Sequence, residues 1–305
     1  MFIPPAAWFT GFIADLPTPF DTADAVDLRA LAALCERQIT AGAPAVLVCE
    51  TAGEAPTLSP AEQELVIRAA VDAARGRVRV IAGAVSNATS HAIEFARRAE
   101  AAGADAVMLV VPAYNKPMQE GILAHFRAIA GATGLPVILH DVPSRTLRPL
   151  ADETLLRLAE SRQFVGLRDG SGDITRPMRL ARHLPAGFRF LSGDDATAFA
   201  YIADGGDGAI SEVANIAPDL CRTIFSQVRQ GRLQSARYLH RRLIPLIGCL
   251  SRESPAALKY ALSVLGLMVA ATRLPIVPLE ATAQGEVIRA FAAIADEELI
   301  DGVGA

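Results

Sequence analysis

The segment GFIADLPTPF, Gly11–Phe20, decides the fold. Gly11 to Asp15 reads as a short buried strand, and an open doubly wound sheet would follow such a strand with a phosphate-holding GxGxxG turn. Here the strand runs instead into Leu16-Pro17-Thr18-Pro19-Phe20, which has no glycine and two prolines. That leaves a closed barrel as the better architecture for a chain that alternates strands with helices. Reading outward from Gly11, seven more short apolar runs follow: Ala45 to Val48, Arg79 to Ala82, Ala106 to Val110, Pro136 to His140, Phe164 to Leu167, Phe188 to Ser192 and Gly208 to Ile210. Segments of helical period separate them. Eight strands in this alternation predict an α/β fold of the TIM (β/α)8 type.

Helices are expected at Leu28 to Ala41, Pro60 to Ala74, Ser90 to Ala102 and Gly121 to Ala130. Ser59-Pro60 followed by Glu62 reads as an N-cap with proline in the first turn, and Gly42, Gly103 and Gly134 suit helix C-termini. Beyond the eighth strand, Leu233 to Leu250, Pro255 to Leu265 and Glu280 to Ala295 are helical segments with no strands between them. The expected division is therefore a barrel over residues 1–230 and a helical region packed on it over 231–305. Gly205-Gly206-Asp207-Gly208 precedes a strand rather than a helix, so it reads as a tight turn and not as a phosphate loop.

Composition narrows the partners. With 51% hydrophobic residues, 20% charged residues and a formal net charge of -4 over 305 residues, the chain is an ordinary globular protein. It has no basic stripe for a phosphate backbone, so nucleic acid is not expected. The four cysteines, Cys35, Cys49, Cys221 and Cys249, form no CxxC pair and read as reduced, buried thiols. The start, MFIPPAAWFTGFIADLPTPF, lacks a positive charge and holds four prolines, unlike a signal peptide. No apolar run is long enough to cross a membrane, and a cytoplasmic protein is expected. Among the histidines, His91, His125, His183 and His240 fall on expected helices and read as ordinary helix residues. No metal is expected, because no HxH, HxxxH or ExxH spacing occurs.

Barrel enzymes carry their chemistry at the C-terminal ends of the strands. That rule selects Asp15, Glu50-Thr51-Ala52-Gly53-Glu54, Tyr114-Asn115-Lys116, His140-Asp141 through Arg145, Arg168-Asp169, Gly193-Asp194-Asp195 and Ile210-Ser211-Glu212. The motifs TAGEAPTLS, VPAYNKPMQEG, VILHDVPSRT, VGLRDGSG, LSGDDA and DGAISEVAN stand in this order, and in that order they resemble the dihydrodipicolinate synthase and N-acetylneuraminate lyase family over nearly the whole chain. The resemblance implies a TIM barrel with a C-terminal helical region, a homotetramer built as a dimer of dimers, no cofactor, and a small carboxylate ligand, commonly pyruvate bound as a Schiff base on a strand-six lysine. It further implies that Thr51 and Tyr114 belong to a hydroxyl relay, with Tyr114 reaching across a subunit interface. His140 stands in place of a relay tyrosine, and Ala52 in place of a threonine that helps hold the ligand. By the same resemblance Arg145 is expected to receive a substrate carboxylate, and Gly193 and Ile210 to line the ligand site.

One position departs from this pattern. Gly166-Leu167-Arg168-Asp169-Gly170-Ser171-Gly172 resembles the family's G-[IL]-K-[ED]-[AS]-[ST]-G, with arginine where the lysine belongs. A Schiff base needs a neutral amine, whereas a guanidinium stays protonated and is a poor nucleophile. The chain has only two lysines, Lys116 in the loop after strand four and Lys259 in the helical appendage. Arg168 is expected to pair with a carboxylate, Asp15 ahead of Glu50, since a buried guanidinium needs a partner. Together with Arg145 it would offer anion sites for a keto acid or a dicarboxylate, beside His140 as acid or base. Three readings follow: a lyase-family enzyme independent of a Schiff base, a catalytically silent protein that binds a small acid, and a keto-acid lyase working through Lys116. Imine chemistry is not expected.

Overall fold

The structure is a computed structural model and describes residues 7–295. Eight strands close into one parallel barrel in chain order, β8 pairing back to β1. They are β1 Gly11–Asp15, β2 Ala45–Val48, β3 Arg79–Gly83, β4 Ala106–Val110, β5 Val137–Asp141, β6 Phe164–Asp169, β7 Arg189–Ser192 and β8 Gly208–Ser211. A parallel pair needs a long crossover, which is why helices separate the strands. These are α1 Leu28–Thr40, α2 Pro60–Ala74, α3 Thr89–Ala101, α4 Gln119–Ala130, α5 Pro143–Thr146, α6 Asp152–Ala159, α7 Arg176–Leu180, α8 Ala198–Ala203 and α9 Pro218–Arg229. After them come α10 Leu233–Glu253, α11 Ala256–Val264 and α12 Ala281–Ala295.

The strands are apolar on both faces because each face is covered. Ile13, Leu47, Ile81, Met108, Ile138, Leu191 and Ile210 fill the barrel interior, and Phe9, from the segment before β1, joins them. Alternate strand residues such as Val46, Ala82, Val107 and Leu167 face the helices in the larger outer cluster. One irregularity aims the site. Between β5 and β6, Phe164 pairs with Val137 but Gly166 pairs with Ile138, so Val165 is an extra residue. Simple alternation from Val165, which belongs to the inner cluster, would turn Leu167 inward. Instead Leu167 faces the helices, and Gly166 and Arg168 face the barrel interior. Gly166 cannot carry a side chain there, because a Cβ would fall 2.7 Å from the Phe9 ring.

Local signals set the helix ends. Ser59 and Glu62 form a reciprocal capping box at α2, and Gly42 and Gly103 adopt φ of 81° and 90° after α1 and α3. Gly134 departs from expectation: α4 ends at Ala130 with Gly131 as its cap, and the Gly134 N–H donates to the Glu100 carboxylate 3.1 Å away. His183 is not helical either; it lies in the turn after α7, which stops at Leu180. His91, His125 and His240 are on helices. The last three helices form as read, with α10 lying against α9 and α12 against α10. Among the described residues no helix is long and apolar enough to cross a membrane. Residues 1–6 of the N-terminal segment and 296–305 of the expected C-terminal region lie outside the described residues.

Candidate active site at the barrel mouth

Arg168 stands opposite His140 in the β5–β6 register, at the C-terminal end of the barrel. Its Nη1 donates to Asp15 Oδ2 at 2.8 Å and to Glu50 Oε2 at 3.0 Å. The other Glu50 oxygen lies 2.8 Å from His140 Nδ1. Four residues from β1, β5, β6 and the end of β2 thus form one buried chain, Asp15–Arg168–Glu50–His140, each at most 4% exposed. The expected partner of Arg168 is present, and Glu50 is a second one. Glu50 also accepts from the backbone N–H of Thr51, which fixes the start of the Thr51–Glu54 loop.

Charge in this chain is unevenly distributed. Burial lowers the tendency of Arg168 to stay charged, but Asp15 and Glu50 outweigh it, so the guanidinium is held cationic. Burial also opposes ionisation of Glu50, yet His140 and Arg168 hold its carboxyl well below the usual carboxylate range. Asp15 goes the other way: burial, reinforced by Glu50 and Glu212, pushes it up to about 7 despite Arg168. Burial, with Arg168 and Arg145 adding like-charge repulsion, keeps His140 below its ordinary value although Glu50 pulls it up. At neutral pH His140 is therefore a neutral imidazole that donates its Nδ1–H to Glu50, leaving Nε2 as a potential base.

Above this chain lies a cavity of ≈ 200 Å³. Of the site residues expected from sequence, Thr51, His140, Arg145, Arg168, Gly193 and Ile210 line it. Asp15, Glu50 and Ala52 do not; the two acids sit behind Arg168 and Ala52 is fully buried. Arg168 is not wholly spent on its acids, since its Nε is buried without a partner and the side chain borders the cavity. A Cβ on Gly193 would fall 3.1 Å from Arg168 Cγ, so glycine leaves room for the arginine stem. Tyr114 is not brought in by its own chain: it is 91% exposed, with a left-handed φ of 66°. Lys116 is exposed as well and lies outside the cavity, a correction to any scheme that uses it as the nucleophile of its own barrel.

Below the mouth, Arg176 locks the ends of β5 and β6. Its Nη1 lies 2.7 Å from Asp141 Oδ2 and 3.4 Å from Asp169 Oδ1, and its Nε lies 3.0 Å from Asp152. Asp141, a strand-end candidate, is thereby a structural anchor. On the far wall the Asp195 carboxylate accepts the backbone N–H groups of Glu212 and Val213, both at 3.0 Å. His240 Nε2, 2.9 Å from the Asp195 carbonyl, holds α10 against this loop. Sequence reasoning missed the cover that α10 provides, namely Ile247, Leu250, Ser251 and, just after it, Ser254. The available signal was that Ser251 and Ser254 continue the buried stripe Leu243, Ile247, Leu250 with hydroxyls in place of apolar side chains.

Residues 8–294 match the sequence profile of the Dihydrodipicolinate synthetase family. The chain is 45% identical to the 4-hydroxy-tetrahydrodipicolinate synthase of Hyphomonas neptunium, over 93% of this chain and 98% of that one. It is 42% identical to the protein of that name from Gluconobacter oxydans, over 96% and 98% respectively. Among solved structures, the chloride-inhibited dihydrodipicolinate synthase of Acinetobacter baumannii complexed with pyruvate superposes with a TM-score of 0.90 at 38% identity, covering 94% of this chain and 99% of that one.

Proposed function

Since the chain belongs to the Dihydrodipicolinate synthetase family, we propose that it is a lyase-family protein that binds a small carboxylate non-covalently at the barrel mouth and moves a proton with His140. One observation carries this reading: Arg168 Nη1 is clamped between Asp15 and Glu50, and Glu50 in turn orients His140. A clamped guanidinium cannot supply the amine of an imine. A buried imidazole hydrogen-bonded at Nδ1 to a carboxylate is a general base at Nε2. Arg145 at the cavity rim is the carboxylate receptor, and Thr51 is the hydroxyl beside it. Arg168 is not a second full anion site, because Glu50, joined by Asp15 once that ionises, absorbs its charge. The dicarboxylate expectation is dropped for that reason, and a single carboxylate fits better. Tyr114, exposed in one chain, is assigned to the site of a second copy, so the working form is an oligomer.

The test is exchange of the C3 protons of pyruvate with deuterated solvent, followed by NMR. The protein should accelerate exchange, with the C3 proton passing to His140 Nε2 and the electron pair to the keto oxygen. His140→Gln should abolish the acceleration. Equal exchange with and without His140 would reduce the protein to a silent binder. A second reading, an imine-forming synthase, is favoured by the 45% identity over 93% of the chain to a protein named as one. It requires a reachable amine, and neither Lys116 nor Lys259 lines the cavity.

A further inference from the structure

The turn after β2 is built from conformations that its residues do not favour by themselves. Cys49 and Glu54, on either side of residues 50–53, have φ of 57° and 50°, a left-handed backbone that a residue with a Cβ keeps only where its surroundings hold it. Cys49 is backed by β3, since a Cβ on Gly83 would fall 2.1 Å from its carbonyl oxygen. Within the turn the Glu54 and Ala55 N–H groups donate to the Thr51 and Glu50 carbonyls at 3.3 and 3.2 Å. Thr18 Oγ1 donates to the Gly53 carbonyl at 2.7 Å. All these contacts grip backbone. The side chain that anchors the far end of the turn is Glu54.

Glu54 does not line the cavity; it is 2% exposed and its carboxylate is held on the other side of the turn by the C-terminal region. Lys259 pairs with it there, and the Arg273 N–H donates to Oε2 at 3.0 Å. Both partners are themselves fixed. Lys259 Nζ donates to the Ala271 carbonyl at 2.8 Å, and the two cations lie 4.0 and 4.2 Å from the Phe20 ring centroid. The Arg273 guanidinium reaches Asp24 ahead of α1 at 2.9 Å, the Thr57 carbonyl at 3.1 Å and Glu62 on α2 at 2.6 Å. Residues 271–273, within a stretch 265–280 that carries no helix or strand, thus strap the loops after β1 and β2 together.

We infer that Glu54 is a positioning residue and that Lys259 and Arg273 are its clamp: the strap holds the turn so that Glu50 stays against His140 Nδ1 and Thr51 stays on the cavity wall. The role rests on reading His140 as the base. It acts through the place of one proton. With Glu50 in position the neutral imidazole carries its proton on Nδ1 and leaves Nε2 free; with Glu50 displaced, nothing keeps the proton off Nε2.

Nitrogen-15 NMR of the imidazoles in the full chain, with the His140 signals identified by their loss in His140→Gln, reads that proton directly. The natural chain should show the Nδ1–H form. Glu54→Gln, which keeps the shape of the side chain and removes its charge, should move part of the population to the Nε2–H form. Arg273→Met should do the same, and it decides the matter if Glu54→Gln fails to fold. Exchange of the pyruvate C3 protons should fall about tenfold in either variant, since a misplacement of about 1 Å can cost about 10²-fold. A folded variant that keeps the Nδ1–H form overturns the inference whatever its loss of stability, because a purely structural tie changes stability alone. An Nε2–H form in the natural chain overturns it as well. A shifted tautomer with unchanged exchange, or with no exchange in the natural chain, supports the clamp and removes His140 from the role of base.

Discussion

Arg168 and Lys259 are both buried cations, and the contrast between them explains the site. Lys259, on α11, is 0% exposed and is enclosed on every side that matters: Glu54 pairs with its Nζ, the Ala271 carbonyl lies 2.8 Å away and the Phe20 ring centroid 4.0 Å away. Burial brings its amine down to about 8, a value suited to a nucleophile. It does not line the barrel-mouth cavity. Arg168 has the cavity and lacks the chemistry, because a guanidinium keeps its proton. An imine-forming residue needs a neutral amine and open space at the same atom; Lys259 has the first without the second, and Arg168 borders the cavity without an amine. Lys259 instead ties the C-terminal helices to Glu54, four residues after Glu50 in the loop that follows β2, and Arg273 reinforces the tie with its backbone N–H on Glu54 at 3.0 Å.

The largest effect should come from breaking the sealed pair. Lys259→Met leaves the buried Glu54 without its counter-ion, and chemical denaturation should show a loss of about 3–5 kcal/mol. A loss below about 1 kcal/mol would mean that the pair is solvated and the contrast is false. Next is Arg168→Met, which strands Asp15 and Glu50 together. The loss should be roughly 3 kcal/mol at pH 8 and smaller at pH 5. The sign follows from Asp15: its folded pKa is already raised to about 7, and removing the cation raises it further. The folded state then holds protons that the unfolded chain releases above about 4, so stability falls as pH rises through that window. A pH-independent loss would show that Asp15 does not titrate there. The smallest effect is on ligand binding. Ionisation of Asp15 near pH 7 adds a negative charge behind Arg168, so the dissociation constant for pyruvate should rise roughly tenfold between pH 6 and pH 8. Asp15→Asn should flatten that profile.

The barrel was legible in the sequence because strands buried on both faces read as unbroken apolar runs, and β1, β2 and β4 begin and end where those runs do. The short helices α5 to α8 were not, since four to eight residues barely complete a helical period. At the site, the pairing of Arg168 with Asp15 followed from the cost of burying a lone guanidinium. The bridge through Glu50 to His140 did not, because residues 50, 140 and 168 converge only through barrel closure and the irregularity in β6. Cover from Ser251 and Ser254 was equally hidden, since a hydroxyl on an amphipathic helix does not announce which cavity it borders.

The central claim is that this barrel binds its ligand without an imine. Incubation with pyruvate and borohydride, followed by mass measurement of the intact chain and its peptides, tests it most directly. The account predicts an unmodified mass under conditions that trap an imine on an accessible lysine. A stable adduct mapping to Lys116 or Lys259 would contradict it.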